Sequence, residues 1–352
     1  MSVSSVSTST VSSILQNTVS RLQTQLTTTS TEASTGLLAD IGLTLGENSG
    51  QDITLHQQMS DLNAISSSNQ LVTAQLDTAY NALTNLQSST ESMVSQLVTG
   101  QSTTPGTSGA AALQQAASGA LSSFTSTMNS ESGGQYVFGG INTGVAPVAS
   151  YSQTPASAAQ TAVDNAFQAT FGFATTSPSV STITATQMTN FLSTQFAAQF
   201  TGSNWTSNWS SASSTAQSNR IGVNETVPTS ISANQSAFQD TAQALVMVSE
   251  FGGLNLNASA YSALMTSASS VMNSANNGLI GAAATVGNMQ NQVTNANSAI
   301  SLQQNTLNTQ INNKEAVNSY QVATEVSNIS TQLQTAYSLT SQIHKLSLVN
   351  FL

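Results

Sequence analysis

The chain has 352 residues and a net charge of −10, yet only 5 % of it is Asp, Glu, Lys or Arg, against roughly 25 % in an average soluble domain. Its four cations, Arg21, Arg220, Lys314 and Lys345, are scattered along the whole length, which excludes the clustered Lys and Arg that nucleic acid or an anionic membrane surface requires. The lack of Cys excludes disulfides, thiolate metal sites and Cys nucleophiles.

This length allows two or three domains and a sizeable core. Polarity comes from Ser, Thr, Asn and Gln, and the 39 % of hydrophobic residues recur in a strict period, so the chain reads as folded. Residues 1–10 hold no basic residue and no apolar stretch as long as a secretory signal needs. No run approaches the roughly 18 apolar residues of a membrane helix. The expectation is a chain that is either cytoplasmic or exported without a cleaved signal.

The first predicted element is a helix on which Leu15, Val19, Leu22 and Leu26 are spaced by four, three and four. A stronger signal follows. Leu55, Leu62, Asn69, Leu76, Leu83, Thr90 and Leu97 form one seven-residue series, and Ile65, Val72, Ala79, Leu86 and Met93 form the other. This is a heptad with apolar a and d positions, uninterrupted by Pro or Gly. Such a helix is about 64 Å long at ~1.5 Å per residue. With one narrow seam it must pack against other helices.

The middle differs in composition. Trp205, Trp209 and most of the Phe residues lie there, and all five Pro fall between Pro105 and Pro228. Aromatic side chains suit a compact core, so residues 136–255 read as an α+β domain. Within it 135–138, followed by Gly139 and Gly140, reads as a strand and turn, and 187–200 as a helix. Residues 220–227 and 229–233 read as short strands around Pro228, and 237–251 as a helix stopped by Gly252 and Gly253.

The heptad then returns. Val286, Val293, Ile300 and Leu307 form one series, with Met289 and Ala296 in the other. A break is expected near Asn312 and Asn313. Beyond it Val322, Ile329, Ala336 and Ile343 alternate with Val326, Leu333 and Thr340. Two ends with one shared pattern are expected to pack together, with the middle inserted between them. Leu346, Leu348, Val349, Phe351 and Leu352 make an unusually apolar segment, expected to be buried or bound by a partner.

Candidate chemistry is sparse. His56 and His344 lie at opposite ends of the chain, each in a predicted helix. The pair Asp52 and His56 makes no triad without a placed nucleophile. The carboxylates are scattered, and no two ligand types fall at metal-site spacing along the sequence. Gly139, Gly140 and Gly144 lack the Lys and the spacing of a phosphate loop. The sequence thus nominates no catalytic residue, cofactor or metal ligand, and points to a structural rather than an enzymatic protein.

Four segments carry a resemblance to the flagellin superfamily. Ala33-Ser34-Thr35-Gly36, with Ala39-Asp40-Ile41-Gly42-Leu43 and Leu45-Gly46, resembles the family's link between its outer and inner N-terminal helices. Gly134-Gln135-Tyr136-Val137-Phe138-Gly139-Gly140-Ile141-Asn142-Thr143 with Pro147 resembles the start of its central domain. Asn204-Trp205, Asn208-Trp209-Ser210, Ser218-Asn219-Arg220-Ile221 and Glu225-Thr226-Val227 resemble that domain itself. Leu346-Ser347-Leu348-Val349-Asn350-Phe351-Leu352 resembles the "LSLLNYL" segment of the hook–filament junction (hook-associated) branch, in its alphaproteobacterial form. Leu37 and Leu38 stand where the family carries a basic residue.

The resemblance implies a mainly α fold, with long antiparallel terminal coiled-coil helices forming a rod and an inserted α+β central domain. The expected divisions are 1–50 (outer helix and link), 51–135 (inner rod), 136–255 (outward-facing domain), 256–311 (inner rod) and 312–352 (outer helix). The expected assembly interface is Leu15, Val19, Leu22 and Leu26 with Val326, Ile329, Leu333, Ala336, Ile343, Leu346, Leu348, Phe351 and Leu352. The outer helices are expected to become ordered when neighbouring subunits bury these residues. Implied partners are further copies in a ring, other hook-associated and flagellin subunits, and a flagellar export chaperone, with neither nucleic acid nor membrane. Export through the flagellar type III channel is implied. A filament-forming flagellin and a secreted adhesin, with Trp205 and Trp209 carrying the ligand, are the alternative readings.

Overall fold

The computed structural model describes residues 8–349. In chain order the helices are α1 (Thr8–Thr35), α2 (Ile41–Leu45), α3 (Ser49–Gly100), α4 (Ser108–Met128), α5 (Ala158–Phe171), α6 (Ala185–Phe191), α7 (Gly202–Asn208), α8 (Ser236–Phe251), α9 (Ala258–Glu315) and α10 (Ser319–Val349). Strand structure is confined to two antiparallel ribbons, β1 (Glu131–Ser132) with β2 (Gln135–Tyr136), and β3 (Ser218–Arg220) with β4 (Thr226–Pro228). No helix among the described residues is long and apolar enough to cross a membrane. The fold is mainly α, with long terminal helices and a central region containing few strands, as the heptads predict.

The chain divides into two compact units, one of residues 8–63 with 301–349 and one of residues 64–300, and α3 and α9 contribute to both. In the first unit α3 runs antiparallel to α9. Lys314 Nζ donates to Gln51 Oε1 at 2.9 Å, and Gln304 Nε2 to Asn63 Oδ1 at 2.9 Å, so rising numbers on one helix meet falling numbers on the other. Helix α1 packs on α10. Gln23 Nε2 donates to Tyr337 Oη at 2.7 Å, while the end of α1 meets the start of α10 through an antiparallel bridge between Leu37 and Ala316.

The expected break at Asn312 and Asn313 falls slightly later. The helical ladder runs through both, the Ala316 N–H still reaches the Asn312 carbonyl at 2.8 Å, and α9 ends at Glu315. Asn318 then starts α10, its Oδ1 accepting the N–H groups of Tyr320 and Gln321.

In the second unit every heptad position from Ile65 to Leu97 on α3 is buried, Asn69 and Thr90 included. The antiparallel register with α9 recurs. Asn69 Nδ2 donates to Asn297 Oδ1 at 2.8 Å, and Gln290 Nε2 to Asp77 Oδ1 at 2.7 Å. One core runs from Val72 to Ala296 and includes the helices of the middle. Helix α8 is buried almost all round from Thr241 to Phe251, as its apolar run Ala244 to Val248 demands. It packs on α4, where Gln114 Nε2 donates to the Ser249 carbonyl at 2.8 Å.

The middle is less β-rich than the aromatic content suggests. The strand expected over 135–138 is Gln135–Tyr136 alone. The expected strands 220–227 and 229–233 are Ser218–Arg220 and Thr226–Pro228. The turn sits at Gly222 to Asn224, closed by the Ile221 N–H on the Glu225 carbonyl at 2.9 Å. Gly and Asn are turn formers, whereas Pro228 ends an edge strand, where its missing N–H costs nothing. The helix expected over 187–200 is α6 continued by a π-turn and a 3₁₀ turn.

Candidate functional site

The seam between α1 and α10 begins with residue spacing. Leu15, Val19, Leu22 and Leu26, four, three and four apart, put one stripe on α1, and the complementary stripe lies on α10. Leu22, Ile329, Leu333 and Ala336 form one buried cluster, flanked by half-buried Val19 and Leu26. Leu15 is buried, while Val326 and Ile343 are half-buried. Leu346 and Leu348 belong to α10, but their side chains lie outside the described residues, as do Phe351 and Leu352 entirely.

A single chain already closes Leu22 against Ile329, Leu333 and Ala336. The physical reason is topological. The Leu37–Ala316 bridge brings the end of α1 to the start of α10, so the two stripes meet locally. Apolar side chains left open on these helices include Ile14, Leu339 and Tyr320, the last 90 % exposed.

The joint between outer and inner helices is built by the segment after Thr35. Gly36 has φ +72° and ends α1, its N–H bonded to the Glu32 carbonyl at 2.8 Å. That left-handed geometry favours Gly. The Leu38 N–H donates to the Glu315 carbonyl at 2.8 Å and the Val317 N–H to that of Gly36 at 3.0 Å. Glu32 Oε1 accepts from the Ala39 N–H at 3.1 Å, and Asp40 caps α2 by accepting from Leu43 N–H at 2.9 Å. Leu37 therefore occupies a backbone bridge, and its main chain rather than a basic side chain makes the contact.

Beside this joint three ionisable residues converge. Asp52 lies in the first turn of α3, where the helix N-terminus favours a carboxylate. His56 lies one turn on, and Glu315 is the last residue of α9. His56 Nε2 is 2.8 Å from Glu315 Oε1, across 259 residues of sequence, and 3.8 Å from Asp52 Oδ2. Both carboxylates are buried and His56 is about half exposed. The hydrogen bond to Glu315 raises the His56 pKa, with the charges of Glu315 and Asp52 acting in the same direction against desolvation. Sequence spacing could not disclose the Glu315 contact, which brings three residues with possible ligand atoms to one place.

Trp205 and Trp209 do not present a ligand face. They stack on each other at 5.5 Å, Trp209 also stacks on Tyr151 at 5.2 Å, and all three are buried. Trp205 Nε1 donates to Asn234 Oδ1 at 3.0 Å. A cavity of about 250 Å³ beside Tyr151 is lined by Ser122, Thr125, Ser126 and Asn129 among others, and its lining includes no carboxylate or imidazole.

Residues 6–143 match the family model for the bacterial flagellin N-terminal helical region, and residues 269–352 match that for the bacterial flagellin C-terminal helical region. The two matches together cover more than half of the chain. No curated protein matches the sequence.

Proposed function

Because the chain belongs to the flagellin superfamily and is a structural component of the bacterial flagellum, we propose that it joins the hook to the filament. The observation that carries this reading is the segment Leu346-Ser347-Leu348-Val349-Asn350-Phe351-Leu352, which resembles the junction branch rather than filament subunits. The α1–α10 pair is the assembling element. Its seam is closed within one subunit, and the outer faces bearing Ile14, Tyr320 and Leu339 meet neighbouring copies in a ring. Hook-associated subunits lie on one side of that ring and flagellin on the other. A chain without Cys and with few charges suits passage, unfolded and guarded by an export chaperone, through the flagellar type III channel.

A filament-forming flagellin is the second reading, favoured by a middle region larger than in the shortest junction proteins. Electron microscopy of cells lacking the gene separates the two. Hooks without filaments, with flagellin shed into the medium, support the junction role. Filament loss without shed flagellin makes this chain the filament subunit. Full filaments of normal shape rule out the junction role and leave a minor flagellin or an adhesin.

A further inference from the structure

We propose that Asp52, His56 and Glu315 bind a divalent transition-metal ion of the Zn²⁺ class, which fastens the first turn of α3 to the last residue of α9. Each residue offers one ligand atom, and the three atoms lie within 4.8 Å of one another. Tetrahedral Zn²⁺ with bonds of about 2.1 Å sets its ligand atoms about 3.4 Å apart. The observed separations of 2.8 Å and 3.8 Å from His56 Nε2 bracket that value. Small side-chain rotations therefore suffice. Two ligands share one face of α3 at i and i+4, and the backbone of the third is held by the Leu38 N–H on the Glu315 carbonyl.

A second observation points to a cation. Asp52 is only 3 % exposed, and its Oδ1 is buried without a hydrogen-bond donor. The other oxygen, Oδ2, lies 3.8 Å from His56 Nε2, beyond hydrogen-bond reach, and that nitrogen already engages Glu315. A buried carboxylate without a donor is costly. Lys314 is the nearest cation in sequence to Glu315, and its ammonium donates to Gln51 instead. Two carboxylates and a neutral imidazole carry a charge of −2, which one divalent ion balances. An imidazole in the set selects Zn²⁺, Co²⁺ or Ni²⁺ over Ca²⁺ or Mg²⁺. The half-exposed His56 leaves the fourth position open to water.

The test uses the full-length, chelator-stripped protein titrated with Co²⁺, followed by absorption, and with Zn²⁺, followed by calorimetry and thermal unfolding. The expected result is one saturable site per chain, the visible absorption of four-coordinate Co²⁺, and a rise in Tm with Zn²⁺. His56→Gln and Glu315→Gln should each weaken binding at least tenfold and abolish the Tm shift. His56→Gln alters a half-exposed side chain, so an unchanged helical circular dichroism spectrum confirms that it folds. Failure of the parent protein to bind either ion saturably overturns the proposal. So does binding that survives both substitutions, because the ion then sits elsewhere.

Discussion

Replacing Leu333 by Asp should open the α1–α10 pair while leaving the second unit folded. Leu333 is 8 % exposed and contacts a small cluster of Leu22, Ile329 and Ala336. Truncating such a Leu to Ala removes about 2–3 kcal/mol, the low end for core Leu because a two-helix seam can partly collapse. Asp adds the desolvation of a carboxylate that has no cation in the cluster, a further ~1–3 kcal/mol. Together these shift the local closing equilibrium by more than about 100-fold. Hydrogen exchange read by mass spectrometry is the assay. Amides of α1 and α10 should lose protection, while those of α8, which pack in the core from Val72 to Ala296, keep theirs. The variant should also be absent from isolated flagella. Parental protection in α1 and α10, with normal incorporation, would refute the assignment of the seam as the assembling element.

Three further outcomes follow from the geometry. Gly36→Ala should cost about 1–2 kcal/mol, because the added Cβ meets no atom but must adopt φ +72°; thermal unfolding should place Gly36→Asn between the two. Asn69→Ala should cost about 1–3 kcal/mol in denaturant unfolding, since it strands the Ile221 carbonyl and Asn297, which Asn69 Nδ2 reaches at 2.9 Å and 2.8 Å. Burial raises the pKa of Glu250, and of Asp164 beside it, above the usual carboxylate values. The folded state therefore binds more protons than the unfolded one, and stability should grow as pH falls from 7 through the raised pKa and level off below the unfolded value. Glu250→Gln should raise Tm at pH 7 and flatten that slope; an unchanged pH profile would exclude Glu250 as its source.

Much of the helical architecture was legible from periodicity. The two α3 series name the positions that are buried, from Leu55 to Leu97, because a heptad on a 3.6-residue helix defines one face. The aromatic middle was recognisable as a core, since Trp and Phe carry the largest apolar areas. Its strand content was overestimated because β-branched and aromatic residues suit buried helices and loops as well as strands. Gly222 and Asn224 were a better signal of the ribbon turn than Pro228.

By itself, then, the sequence determined which side of each long helix is buried, that the two ends share a pattern, and that charge and Cys are too scarce for most chemistry. It did not determine partners. An apolar stripe is satisfied by any complementary stripe, so only the tertiary structure showed that α1 closes on α10 of the same chain and that α4 packs on α8. Nor does periodicity carry the axial register of two antiparallel helices. That register, held in part by Gln51 with Lys314 and Asn63 with Gln304, is what brings Glu315 to within 2.8 Å of His56 across 259 residues.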